Sequence, residues 1–169
     1  MTDVDALVRE LIARERTATE SDIERIVAAV ARAPFATRPV GVPEEVRGHE
    51  YLGYRLGAKA PSWLVHLAKR VILEKQWREG TTLDEYLHDL RVAVLHRERR
   101  VAAFQRRGLH WAGVLSPNTV PPERLGDNSK PYIWVVYACD YGTIASGYQV
   151  SRIGRVSFPE GAVWLTRNP

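Results

Sequence analysis

The sequence predicts an α+β fold: N-terminal helices followed by a four- to five-stranded antiparallel sheet packed on two central helices. Three observations lead there. Apolar residues recur at helical spacing up to about residue 95 and alternate after residue 99. The stretch from Tyr132 to Gln149, YIWVVYACDYGTIASGYQ, joins a nearly all-apolar arm to an alternating one through Asp140-Tyr141-Gly142, as a β-hairpin does. A second hairpin-like segment, RRVAAFQRRGLHWAGVL from Arg99 to Leu115, precedes it.

The elements follow in order. Val4, Leu7, Val8, Leu11 and Ile12 predict a helix over residues 3–15. Ser21 with Glu24 reads as a capping box for a second helix, which carries Ile23, Ile26, Val27 and Val30 to about Arg32. Pro34, Pro39 and Pro43 then break the chain. Residues 1–38 thus read as an acidic helical arm for packing or oligomerisation, and 39–169 as the α+β domain. A short helix from Pro43 to Tyr54 is expected next. Pro61 suits the first turn of a helix over about 61–79, with Leu64, Leu67, Ala68, Val71 and Ile72 on one face and Gly80 as its stop. Thr82 with Glu85 caps a helix over about 82–95, along which Leu83, Tyr86, Leu87, Leu90 and Val94 form a stripe.

The sheet is expected over about 99–165. Gly108 turns the first hairpin. Residues 116–131, with four prolines, form a loop that is either a lid or packing. Residues 132–139 suit a strand buried on both faces. In the next strand, Thr143 to Gln149, alternation places Ile144, Ser146 and Tyr148 on one side. Residues 162–165 make a last short strand. The helices would cover one face of the sheet, leaving the other for a ligand, a partner or the N-terminal arm.

Composition bounds the function. The 169 residues are 45% apolar, enough for the core of one ordinary domain. No apolar run could span a bilayer, and MTDVDALVRE is too acidic for a signal peptide, so a cytoplasmic protein without a membrane partner is expected. Cys139 is the single cysteine, which excludes an internal disulfide, and its apolar run suits a buried inert thiol. His49, His66, His88, His96 and His110 are scattered without metal-ligand spacing, so neither a metal nor a cofactor is expected. His66 reads as structural.

The net charge of +4 is uneven. Residues 1–50 hold seven arginines against ten acids, and residues 51–169 hold seventeen basic residues against ten acids. The densest basic run is Arg91 to Arg107. Such a bias suits an anionic partner as well as a solvated arginine-rich surface. Only four of the 24 basic residues are lysines, and that preference can reflect genome composition.

Metal-free RNA cleavage needs a base for the 2′-hydroxyl, cations on the phosphate and an acid for the leaving oxygen. His110, Tyr148, Ser146 and Arg106 are the candidate catalytic residues. Arg97, Arg99, Arg100, Arg107, Lys130, Gln149 and Arg152 are the candidate nucleic-acid contacts. The plainer alternatives are an aromatic core role for Tyr148 and an exposed strand position for His110.

Helices followed by an antiparallel sheet with an arginine-rich edge and the ending GTIASGYQ resemble the barnase–EndoU–colicin–RelE group of small ribonucleases. The matching residues are Gly142, Ile144, Ser146, Gly147 and Tyr148, and the resemblance covers roughly residues 82–169. It implies that Tyr148 and Ser146 touch phosphate or base, while Arg106, Arg107 and His110 supply charge and proton transfer. His110 is the lone histidine of the sheet region, so a paired-histidine mechanism is unsupported. The expectation is a metal-independent, toxin-like endoribonuclease. The alternatives are a non-catalytic module binding nucleic acid or protein, and a structural oligomeric protein of a mobile element. Expected partners are RNA, an acidic antitoxin-like protein or another copy of the chain.

Overall fold

The structure is a computed structural model and describes residues 3–14, 17–37, 40–51, 54–152 and 162–165. Helix α1 spans Asp3–Arg14 and α2 spans Glu20–Arg32. The capping box of α2 forms two residues upstream of the expected one. The Asp22 amide donates to Thr19 Oγ1 (3.2 Å) and the Thr19 amide donates to Asp22 Oδ2 (3.0 Å). Thr19 is extended, as an N-cap must be, whereas Ser21 already lies in the first helical turn.

The expected helix from Pro43 to Tyr54 is replaced by a 3₁₀ turn, Glu44–Val46, and two short paired strands, β1 (Glu50–Tyr51) and β2 (Tyr54–Arg55). Gly48, at φ 79°, turns the chain there. Helix α3 runs over Ser62–Ala68 and passes into a π turn over Lys69–Leu73. It therefore stops well short of residue 79. Lys75 takes a left-handed conformation (φ 52°), and this bend carries Gln76 and Trp77 into the interior. Helix α4, Leu83–Val94, begins at the expected Thr82–Glu85 capping box.

Five antiparallel strands form the main sheet: β3 (Arg100–Arg106), β4 (Leu109–Pro117), β5 (Tyr132–Ala138), β6 (Thr143–Val150) and β7 (Val163–Trp164). Their spatial order is β6-β5-β4-β3-β7. One face meets the helices. There Val8, Leu11, Ile26, Val30, Leu67, Tyr86, Leu90 and Val94 pack against Val101, Val114, Ile133, Val135 and Ile144. Helices α1 and α2 share this core, so the acidic N-terminal segment is packed with the helices that cover the sheet. Buried side chains of this size contribute about 1.5–3 kcal/mol each.

The other face is also largely buried. Phe104 stacks between Trp111 and Trp134, and Trp134 meets Trp164 edge-on. Gly113 makes room for this arrangement, since a Cβ there would lie 2.0 Å from the Trp134 ring. The aromatic residues of this face serve a second core.

A bulge interrupts the β5–β6 register between Val136 and Tyr137. It corrects the expected side-sharing in β6. Ile144 packs in the helix-side core, whereas Ser146, opposite Val136, and Tyr148, opposite Trp134, lie on the outer face. The loop after β4 is packed rather than lid-like. Arg124 makes a two-pronged ion pair with buried Asp89 (3.0 and 2.5 Å), and the Gly126 amide donates to Gln76 O (3.0 Å). No helix among the described residues is long and apolar enough to cross a membrane.

Candidate functional site

An edge strand leaves every second residue's backbone groups unpaired, and such an edge must be blunted. In β6 this is done by side chains and by one stretch of backbone. Near the start of β6, Ile144 donates to Pro34 O (2.7 Å) and accepts from the Ala36 amide (3.0 Å). Midway, Gly147 O accepts from Arg70 Nε (3.0 Å) and from the Tyr86 hydroxyl (2.6 Å). At the end, Gln76 donates to Gln149 O (2.9 Å) and accepts from the Gln149 amide (2.8 Å).

Arg70 is the centre of this edge and is only 5% exposed. Besides Gly147, its guanidinium donates to Ser146 Oγ (3.0 Å) and Glu74 Oε1 (2.7 Å), and it lies 4.9 Å from the Tyr148 ring centroid. Burial raises the Tyr148 pKa, and the positive charges of Arg70 and Arg106 pull against that rise. One turn earlier on the same helix, burial pushes His66 down to about 4, with Arg70 and Lys69 adding to the shift. His66 is therefore a neutral imidazole near pH 7. His66 Nδ1 and Glu74 Oε2 are buried without a hydrogen-bond partner among the described residues.

Cations gather around this edge. Lys69 Nζ lies 3.9 Å from Glu74. The Asn128 amide donates to Lys75 O (2.9 Å), Lys130 Nζ donates to Asn128 Oδ1 (2.7 Å), and the Lys130 amide donates to Gln149 Oε1 (2.7 Å). The β5–β6 pairing ends with Tyr132 opposite Val150, so Lys130 and exposed Arg152 each lie two residues beyond that end of the pair. Lys69, Arg70, Lys75, Lys130 and Arg152 thus lie around the C-terminal half of β6, with Glu74 beside Lys69 and Arg70, and with Glu50, Glu79 and Asp127 in the cavity that Lys75 lines.

The expected site residues divide into groups. Ser146 and Tyr148 come together with Arg70, and Lys130 and Arg152 stand beside them. Gln149 is 2% exposed and its amide is committed, donating to Gln76 O (2.8 Å) and accepting from Lys130. Arg106 and Arg107 are exposed and leave the sheet beside the β3–β4 turn, but the charge of Arg106 still acts on Tyr148 across the outer face. His110 pairs with Gln105 and so faces the helix side. Its Nδ1 lies 3.5 Å from Asp140 Oδ2, and its amide donates to the same oxygen (2.6 Å). That amide and Arg9, 2.6 Å from Asp140 Oδ1, hold the Asp140 carboxyl below the usual carboxylate range. His110 is thus on the other face from Tyr148. Arg97 and Arg99 lie in the connection before β3, and Arg100 is its first residue. Arg99 pairs with Glu24 and donates to His96 O, and Arg97 is 89% exposed with Glu98 at 3.8 Å.

Sequence reasoning missed Arg70, Glu74, Lys69, Lys75 and Asp140. One signal was present: His66, Arg70 and Glu74 recur every four residues beside the apolar stripe. Which strand they would meet is a tertiary fact. Elsewhere, a cavity of about 520 Å³ near Tyr51 and Trp77 is lined by both signs of charge, Glu50, Glu79 and Asp127 with Lys75 and Arg78. Among the described residues no group of three or more His, Cys, Asp or Glu converges as metal ligands would. Burial pushes the Cys139 thiol up to about 12, an unreactive state.

No protein-family model matches the chain, and neither the curated proteins nor the solved structures contain a match. The resemblance to small ribonucleases therefore rests on the sequence pattern alone.

Proposed function

We propose that the protein is an RNA-binding module that holds a phosphate backbone along the outer side of β6, without itself cleaving it. The observation that supports this most is the gathering of Lys69, Arg70, Lys75, Lys130 and Arg152 around one strand edge, with Tyr148 among them. Arg70 ties the edge to the helix, the lysines supply compact charges and Arg152 a planar fork, and both kinds of cation suit phosphates. A cleavage site would need a base within hydrogen-bond reach of the strand held there. His110 stands on the opposite face and His66 is buried.

The test is binding of a labelled single-stranded RNA across a salt series. The parent should lose affinity steeply with salt, by about 0.7 log units per log unit of salt for each phosphate contacted. Replacing Lys75, Lys130 and Arg152 by Gln should weaken binding and flatten that slope by about two to three. Salt-independent binding, or a triple variant that binds like the parent, overturns the reading. The same preparations incubated with RNA in EDTA decide the catalytic alternative. Cleavage lost in Tyr148→Phe at unchanged melting temperature would make this edge a nuclease site.

A further inference from the structure

We infer that the cavity at the hairpin end of the sheet is a nucleobase slot, which takes one unpaired base of the RNA strand between Trp111 and Tyr141. The inference deepens the RNA-binding reading and rests on it for the identity of the strand. The cavity measures about 380 Å³ and lies on the outer face. Its size falls within the range of small-molecule sites. Ala36, Ala138 and Ala145 line it with small side chains, which leave room for a flat ring. Thr37 and Thr143 place hydroxyls beside it, as the edge of a base requires.

Two aromatic residues line the same space. Trp111 stacks on Phe104, with ring centroids 6.5 Å apart and an interplanar angle of 11°, and its Nε1 donates to Arg106 O (3.3 Å). Its plane is set before a ligand arrives, which lowers the entropy lost on binding. Tyr141 sits in the β5–β6 turn and is 54% exposed. Among the described residues it is the most exposed large aromatic ring, and stacking on a base would cover it.

Charge completes the fit. Exposed Arg106 lies beside Leu109, which also lines the cavity, and Arg107 follows in the turn at φ 52°. Both can reach phosphates that flank the bound base. The slot is also continuous with the edge described above. Thr143 lines it, Ser146 and Tyr148 follow on the same face of β6, and Lys130 and Arg152 lie at the far end. The eight residues of β6 span roughly 23 Å, so one extended strand could use both places.

The experiment compares a labelled single-stranded RNA with an oligonucleotide of equal length that carries abasic sites. The parent should bind the base-bearing strand about tenfold more tightly, the scale of one stacked base. Tyr141→Ala, which removes a wall, and Ala145→Leu, which fills the cavity, should each remove that preference. Neither should change affinity for the abasic strand, whereas Lys130→Gln with Arg152→Gln should weaken both strands alike. Equal binding of the two strands by the parent overturns the slot and leaves the phosphate-binding edge standing. Should neither strand bind, the RNA reading fails, and titration with AMP followed by tryptophan fluorescence decides the slot. Quenching weakened by both cavity variants would sustain it as a nucleotide site, and absence of quenching would overturn it.

Discussion

Replacing Arg70 by Met should destabilise the fold by about 2–4 kcal/mol while keeping its overall shape. The magnitude follows from what the guanidinium holds. It makes three hydrogen bonds, to Gly147 O, Ser146 Oγ and Glu74 Oε1, and lies against the Tyr148 ring. Hydrogen bonds to a charged group contribute about 1.5–3 kcal/mol each when net effects are counted. The loss is smaller than three such bonds because the partners are not all abandoned. Gly147 O keeps the Tyr86 hydroxyl at 2.6 Å, and Glu74 keeps Lys69 at 3.9 Å and some access to water. Met retains the aliphatic contact, and removing a buried cation also removes its desolvation cost.

For a chain of this size, 1 kcal/mol lowers the melting temperature by about 2–4 °C, so Arg70→Met should melt about 5–15 °C lower. Urea denaturation should show a lower midpoint at unchanged slope. Arg70→Lys separates the forked geometry from the charge. A single ammonium cannot reach Gly147, Ser146 and Glu74 together, so Lys should recover less than half of the loss. A Met variant that melts within about 1 °C of the parent would refute the claim that Arg70 holds the edge. Full recovery by Lys would show that charge rather than geometry is what the site requires.

Two further outcomes are expected. Gly113→Ala should cost about 2–4 kcal/mol by chemical denaturation, because its Cβ would sit 2.0 Å from the Trp134 ring and force the stack of Phe104, Trp111 and Trp134 apart; a loss under about 0.5 kcal/mol would show that the stack gives way freely. Stability should fall on acidification between about pH 6.5 and 4, because the unfolded chain takes up a proton on His66 near 6.5 and the folded chain only near 4; the interval is worth roughly 3 kcal/mol, and a His66→Gln variant with the same pH dependence as the parent would rule His66 out as its source.

The elements that rest on local signals were legible. The apolar stripes of α1 and α4, the Thr82–Glu85 capping box and the continuous apolar run of β5 each carry their evidence within a dozen residues. The π turn was not legible, because Lys69–Leu73 contains no breaker. Its geometry is set by where Arg70, Gln76 and Trp77 must reach: Arg70 to the β6 edge, Gln76 to Gln149 and Trp77 Nε1 to Asp89 at 3.1 Å. Those partners lie far away in sequence. The cationic edge was illegible for the same reason, since Lys69 and Lys75 meet Lys130 and Arg152 only through tertiary packing.

The candidate site shows how parity decides function in a sheet. A one-residue slip sends a side chain to the other face. Strict alternation through β6 would have placed Ile144 with Ser146 and Tyr148. The bulge opposite Val136 and Tyr137 instead lets Ile144 fill the core while Ser146 and Tyr148 turn outward to meet Arg70. In the first hairpin the two-residue turn Arg107-Gly108 pairs Arg106 with Leu109 and Gln105 with His110. Arg106 and His110 are four residues apart in sequence, yet this pairing assigns them to opposite faces. An acid–base partnership between His110 and Tyr148 would require a shift of register in one of the two hairpins. Such a shift would also send Ala112 and Val114, or Gly147 and Gln149, out of their buried places. The packing that makes the sheet stable is therefore what keeps these two residues apart.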